Sequence, residues 1–320
     1  LLARPAARRK AIAQLAAAAE RYGLAGVAID FEEVPDDLRD EWISFLRELR
    51  TVFAPAKRLV TATLAASVDN ATATAVGAAC DYVFLMLYDE HYGRGDPGPV
   101  ASQQWYDERA TALTKAVGAS RAILALGAFG YDWNDAGGRL NGRAMTFQEM
   151  MSAVRARGAV VHFDPVALNP YAAWHDPDST SHVAWFLDAA TGWNHLSAVA
   201  HLNVAGAALW RLGAEDPALW ALLDRSTTPP SPKDIESIPA GYQVEFDGAG
   251  ELLRLEVPPT GGTRVVRIDP ARNLIVAESL TTYPSPWVIQ RFGDAEGKVA
   301  LTFDDGPDAR WTPDILDTLR

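Results

Sequence analysis

At 320 residues the chain has room for two or more domains, and its 48% apolar content is enough for a real core. The net charge of −12 argues against nucleic acid or an anionic membrane surface as the main partner. The lone Cys80 excludes an internal disulfide framework and a Cys-rich metal site, and no apolar run is long enough to span a bilayer.

In chain order, Pro5–Tyr22 carries Ile12, Leu15, Ala19 and Tyr22 at helical spacing. A strand follows at 27–31, then a helix over Trp42–Phe53 with Ile43, Leu46 and Leu49 on one face. Further buried-type strands are predicted at 58–65, 82–88, 122–129 and 205–212, with helices fitting between most of them. Such alternation implies a parallel sheet, either doubly wound or a barrel. The stretch between Tyr131 and Ala205 breaks the rhythm with Gly137-Gly138, Asn169-Pro170 and several aromatics. Structureless loops that long are rare, so it reads as an inserted subdomain at about 132–204, within a first domain of 1–226. "TTPPSPKD" opens a linker at 227–239, and 240–296 alternates short β-type runs with Gly and Pro turns, a small β-rich connector. "KVALTF" from Lys298 reads as one more strand, opening a last segment at 297–320. The chain starts at Leu1 without Met and stops inside an apparent helix, so it reads as a fragment of a longer protein.

Chemistry concentrates first in "GLAGVAIDFEEVP", residues 23–35. Val27, Ile29 and Phe31 share one strand face; Ala28, Asp30 and Glu32 share the other. Two carboxylates in a buried setting repel each other and lose hydration, a strain that persists where function uses it. In a parallel barrel catalytic groups sit at the carboxyl ends of strands. Asp30 and Glu32 lie at one such end. Met86 and Tyr88, with Asp89 at the exit, lie at a second, and Trp210 at a third. An acid pair, a phenol and an indole around one mouth would suit a sugar ring, which needs a proton donor and an aromatic floor. The competing reading makes the acids a charge cluster at a helix start and Trp210 ordinary core.

"GLAGVAIDFEEVP" resembles the signature of family 18 glycoside hydrolases, and is most similar to their bacterial cell-wall and spore-cortex branch. The likeness continues through "MLYDEHYGRGDPGPVAS" (86–102), "HVAWFLDA" (182–189) and "GAALWRLGAEDP" (206–217), covering roughly 1–224. It implies a (β/α)8 TIM barrel with an α+β insertion, of which the chain holds strands four to eight, beginning with 27–31. A five-stranded arc cannot close, so 27–31 and 206–211 are expected not to pair directly. The resemblance also implies substrate-assisted hydrolysis, with the substrate's acetamido oxygen as nucleophile. Glu32 would then be the proton donor and Asp30 the group that holds the acetamido. Tyr88 would hydrogen-bond it, Met86 and Asp89 would line the sugar site, and Trp210 would floor it. Two family carboxylates are replaced, by Ala25 and Ala28; the second normally hydrogen-bonds the position of Asp30. A catalytically inactive glycan-binding barrel is the alternative this departure favours.

"VALTFDDGPD" (299–308) delivers adjacent aspartates into a Gly-Pro turn, a pattern that also suits a plain surface turn. "TFDDGPD" resembles the first motif of NodB-type polysaccharide deacetylases, and "WTPDILDTLR" fits that family's next helix. The resemblance implies that Asp304 is a general base and Asp305 one ligand of a divalent metal, commonly zinc. Its other ligands, a downstream His pair, would lie beyond Arg320. Together the two resemblances imply N-acetylated polysaccharides or oligosaccharides as partners, with no nucleic acid or membrane contact in this fragment. They also imply an extracytoplasmic or cell-envelope location.

Overall fold

The computed structural model describes residues 1–135, 140–223, 230–293, 297–299 and 301–320. Residues 227–229 of the expected linker, and Ala300 of the expected last strand, lie outside these. The chain forms two compact units: residues 1–243 with 259–286, and residues 244–258 with 287–320.

The first unit alternates helix and strand through α1 (Pro5–Arg21), β1 (Gly26–Ile29), α2 (Arg39–Phe53), β2 (Leu59–Ala65), α3 (Asn70–Ala79), β3 (Tyr82–Met86), α4 (Gln103–Val117) and β4 (Ala122–Gly127). After β4 come the inserted elements β5 (Gly130–Asn134), β6 (Asn141–Met145), α5 (Phe147–Arg157), β7 (Val161–Phe163), β8 (Pro170–His175) and β9 (Ser181–Phe186). The alternation then resumes with α6 (Ala189–Leu202), β10 (Gly206–Trp210) and α7 (Leu219–Leu223).

Five strands form one parallel sheet in the order β1-β2-β3-β4-β10. β1 and β10 are its two edges and do not pair with each other, the arc that the strand count leads one to expect. Side chains sort by alternation: Val60, Ala62 and Leu64 of β2 are buried, while Thr61 and Thr63 turn to the other, half-exposed face. α2 buries Trp42, Phe45, Leu46, Leu49 and Phe53, each contributing about 1.5–3 kcal/mol relative to exposure. Arg8 of α1 pairs with Glu48 of α2 at 2.8 Å, joining the first two helices. β1 and β2 meet at Gly26, where a Cβ would collide with the Leu59 carbonyl; only glycine lets the backbones come together there.

The insertion is tighter than expected. An antiparallel sheet, β6-β5-β9-β8-β7, occupies 130–186 and packs on α5 through Met145, Phe147, Met150, Met151, Trp174 and Phe186. A capping box starts α5: Thr146 Oγ1 accepts from the Glu149 amide, and Glu149 accepts from the Thr146 amide. Residues 189–202, expected inside the insertion, form α6, which packs on α4, β4 and β10 and so belongs to the parallel-sheet layer.

The stretch 240–296, expected as one connector, is divided between the units. Its hairpin, Gly262–Asp269 with Leu274–Thr282, belongs to the first. Arg264 is fully buried there and reaches Asp188 (3.0 Å), Glu278 (2.8 Å) and Asp216. Asn194 of α6 clasps the hairpin backbone in both directions, donating to the Ile275 carbonyl (2.9 Å) and accepting from its amide (2.7 Å). In the second unit Val244–Gly248, Trp287–Phe292 and Leu252–Val257 make a three-stranded sheet, and a helix spans Thr312–Leu319. The strand expected over Lys298–Phe303 is not formed among its described residues. A strand exists through the neighbour it bonds to, and Val299, Leu301 and Phe303 are instead exposed.

Candidate active site

The concave face of the parallel sheet forms a trough of about 1210 Å3. Asp30, Glu32, Met86, Tyr88, Asp89 and Trp210 all line it. Six of the eight residues singled out in the sequence therefore converge, from the ends of β1, β3 and β10. β1 ends at Ile29, so the acid pair sits on the turn just beyond the strand, with Ile29 buried beneath. β3 delivers Met86 into the trough, and Leu87 continues the ladder by donating to the Ala125 carbonyl. That leaves Tyr88 half-buried, edge-on to the Phe129 ring at 5.7 Å. Asp89 takes φ +65°, a left-handed conformation that aspartate tolerates better than most residues. Trp210 ends β10 with half its surface open.

The burial expected of the acid pair is not found. Asp30 and Glu32 are both exposed in the trough, because β1 is an edge and its inner face carries no covering layer. Their influence is visible in their neighbours. Burial pushes the Tyr88 phenol well above its ordinary value, and the charges of Asp89, Glu32 and Asp30 push it further. Burial also raises the Asp89 carboxyl; the Tyr131 hydroxyl, donating at 2.9 Å, opposes that rise and Glu32 adds to it. A phenol held this high stays protonated, so Tyr88 is available as a donor throughout the ordinary pH range.

Two residues escaped the sequence reading. Thr63 donates its hydroxyl to Asp30 Oδ1 at 2.5 Å, and Tyr131 holds Asp89. Thr63 left a trace: "LVTATLA" places threonines at alternate positions of an otherwise apolar strand. Tyr131 left none, since it arrives from the insertion. Trp105, read as packing, lines the trough. His91 bonds the Asp96 carbonyl within its own loop, and His195 is buried against Tyr106, its imidazole pushed down to about 3 by burial.

Asp304 and Asp305 belong to the second unit and are exposed in a turn. Neighbouring Asp308 serves that turn, accepting from the amides of Arg310 (2.8 Å) and Trp311 (3.0 Å). Among the described residues no three His, Cys, Asp or Glu side chains gather in a way that could hold a metal ion. The residues present do not fit a catalytic zinc, which takes three protein ligands and an open position.

Acids, a phenol and an indole at the carboxyl ends of parallel strands lie where barrel-type enzymes carry their active sites. Residues 1–215 match Glycosyl hydrolases family 18, and the chain belongs to that family. The cortical fragment-lytic enzyme of Bacillus subtilis (strain 168) is 29% identical over 235 residues, covering 68% of this chain and 53% of that protein. The chain thus spans about half the length of that relative. Two solved structures share the fold. Chitinase from Chromobacterium violaceum ATCC 12472 superposes with a TM-score of 0.64 at 24% identity, over 70% of this chain and 73% of that one. The spore cortex-lytic enzyme SleL of Bacillus megaterium QM B1551 gives 0.64 at 20% identity, over 71% and 55%.

Proposed function

We propose that this chain carries the site of a substrate-assisted, retaining glycosidase acting on N-acetylglucosamine polymers, chitin-like glycan or peptidoglycan among them. The observation that carries the reading is the convergence of Asp30, Glu32, Tyr88, Asp89 and Trp210 on one trough in a chain of family 18. Glu32 donates its proton to the glycosidic oxygen as the bond to the anomeric carbon breaks. The substrate's acetamido oxygen closes onto that carbon, while Asp30 accepts from the acetamido N–H and Tyr88 donates to its oxygen. Water then attacks the anomeric carbon, gives its proton to the Glu32 carboxylate, and opens the ring intermediate with retained configuration. Trp210 stacks on the sugar face. Glu32→Gln should abolish release of product from chitooligosaccharides while binding persists. Undiminished cleavage by that variant would overturn the role of Glu32.

Ala25 and Ala28 favour a second reading, a glycan-binding barrel without turnover. It prevails if the parent chain binds chitooligosaccharides, seen in tryptophan fluorescence, yet releases nothing from any N-acetylated glycan.

We further propose that 297–320 opens a polysaccharide deacetylase domain, with Asp304 as base and Asp305 as one ligand of a divalent metal. The motif "TFDDGPD" and the helix that follows it support this. The 320-residue chain should then neither hold zinc tightly nor release acetate, and a chain extended through a downstream His pair should do both. Stoichiometric tight zinc in the shorter chain would refute it. A polymer of this kind places the work outside the cytoplasm, at the cell envelope.

A further inference from the structure

The structure assigns Thr63 as the positioning residue for Asp30, a task that Ala28 cannot perform. The argument rests on strand register. β1 and β2 run parallel with Ala28 beside Thr61 and Ile29 beside Ala62, which brings residue 63 alongside residue 30. Ala28 has no polar atom. Thr61 is engaged elsewhere, its hydroxyl reaching back to the Val27 carbonyl at 3.4 Å. Thr63 is the donor that remains, and it bonds Asp30 Oδ1 at 2.5 Å.

Three physical features suit it to the role. It stands on a regular strand flanked by β1 and β3, a firmer base than the turn that carries Asp30. Its β-branched side chain has few χ1 options, so the hydroxyl points one way with little entropy left to lose. It engages one carboxylate oxygen, and among the described residues nothing donates to Oδ2. Under the function proposed above, that free oxygen is the one left to accept the acetamido N–H. A hydroxyl also differs from a carboxylic acid in that role: it donates without a proton that can be lost as pH rises.

The test compares Thr63→Val, nearly the same shape without the hydroxyl, with Thr63→Ser, which keeps it. On a chitooligosaccharide, kcat for Thr63→Val should fall roughly 10- to 100-fold, the range for losing one bond to a charged group, with KM little changed. Thr63→Ser should stay near the parent in both. Crystal structures supply a readout independent of turnover: Asp30 should leave its position in Thr63→Val and keep it in Thr63→Ser. If the parent proves inert, the proposed function falls, and the crystal structures alone still decide the role of Thr63. An unmoved Asp30 in Thr63→Val, or equal damage from both variants, overturns the assignment.

Discussion

In the trough, Asp30 and Glu32 face open solvent with Asp89 on the wall beside Tyr131, and the partners of Asp30 and Asp89 are the hydroxyls of Thr63 and Tyr131. At the base of the hairpin, Asp188, Asp216 and Glu278 are as fully enclosed as any side chains in the chain, gathered around the guanidinium of Arg264. Each of these two sets of three acids lies in the same compact unit. In the enclosed one a cation is built in, and the acids can be taken from water only because it is there. In the open one, among the described residues no Arg or Lys forms an ion pair with the three acids; nearby Arg39 is taken up by Asp36 and Asp69. Charge that is neutralised in place holds the fold. Charge left facing solvent in a concavity is available to a ligand.

The contrast can be broken from either side. The largest expected effect is on the open cluster: Glu32→Gln should lower hydrolysis of a chitooligosaccharide by roughly 100- to 10,000-fold, the range for removing a general acid. Its midpoint of thermal unfolding should not move, because the side chain is exposed. Arg264→Met should do the reverse. It strands three buried carboxylates, and removing one partner of a buried ionic group costs about 3–5 kcal/mol, read from urea unfolding followed by circular dichroism. Rates per folded molecule should survive. A stable Arg264→Met chain would show that the hairpin is held by its apolar contacts and the Asn194 bonds without the ion pairs.

A smaller effect belongs to Trp210→Ala. Removing a half-exposed indole from the trough should weaken chitooligosaccharide binding by about tenfold, measured by titration calorimetry, with the fold intact. The smallest concerns pH. Burial, with the charge of Asp188 beside it, holds the Glu278 carboxyl well above the ordinary glutamate value of 4.5, in spite of Arg264. A carboxyl raised in the folded state favours folding in its protonated form. That stability is fully present below about 4.5 and is lost as pH climbs toward and through the raised folded value. Glu278→Gln, neutral at every pH, should flatten this decline, so unfolding free energies measured from pH 5 to 9 should fall less steeply than in the parent.

Much of the first unit could be read from residues in order. Short apolar runs such as "LVTATLA" and "YVFLM" gave strands within two residues of their observed ends, because runs of that length, rich in β-branched and aromatic residues, suit buried strands. The six trough residues were legible because strand ends carry them. Partnerships across elements were not. Arg264 in "TRVVRI" looks like any outward-facing arginine of an alternating strand. Its burial depends on Asp188 and Asp216, which come from 76 and 48 residues away. For the same reason the hairpin looked like part of a separate connector, when Asn194 and Ile275 bind it to α6. "KVALTF" shows the opposite case: alternation alone promised a strand, and among its described residues none is formed.

The sheet order β1-β2-β3-β4-β10 sets Glu32 and Trp210 four interstrand steps apart. Each step adds about 4.8 Å of width and roughly 20–25° of twist. Small changes in any of them add up across the trough, like the settings of a caliper. Ala62 and Leu85, buried on the far side of β2 and β3, back two of the strands that fix those steps. Changing their volume should shift the spacing between Glu32 and Trp210 without touching either.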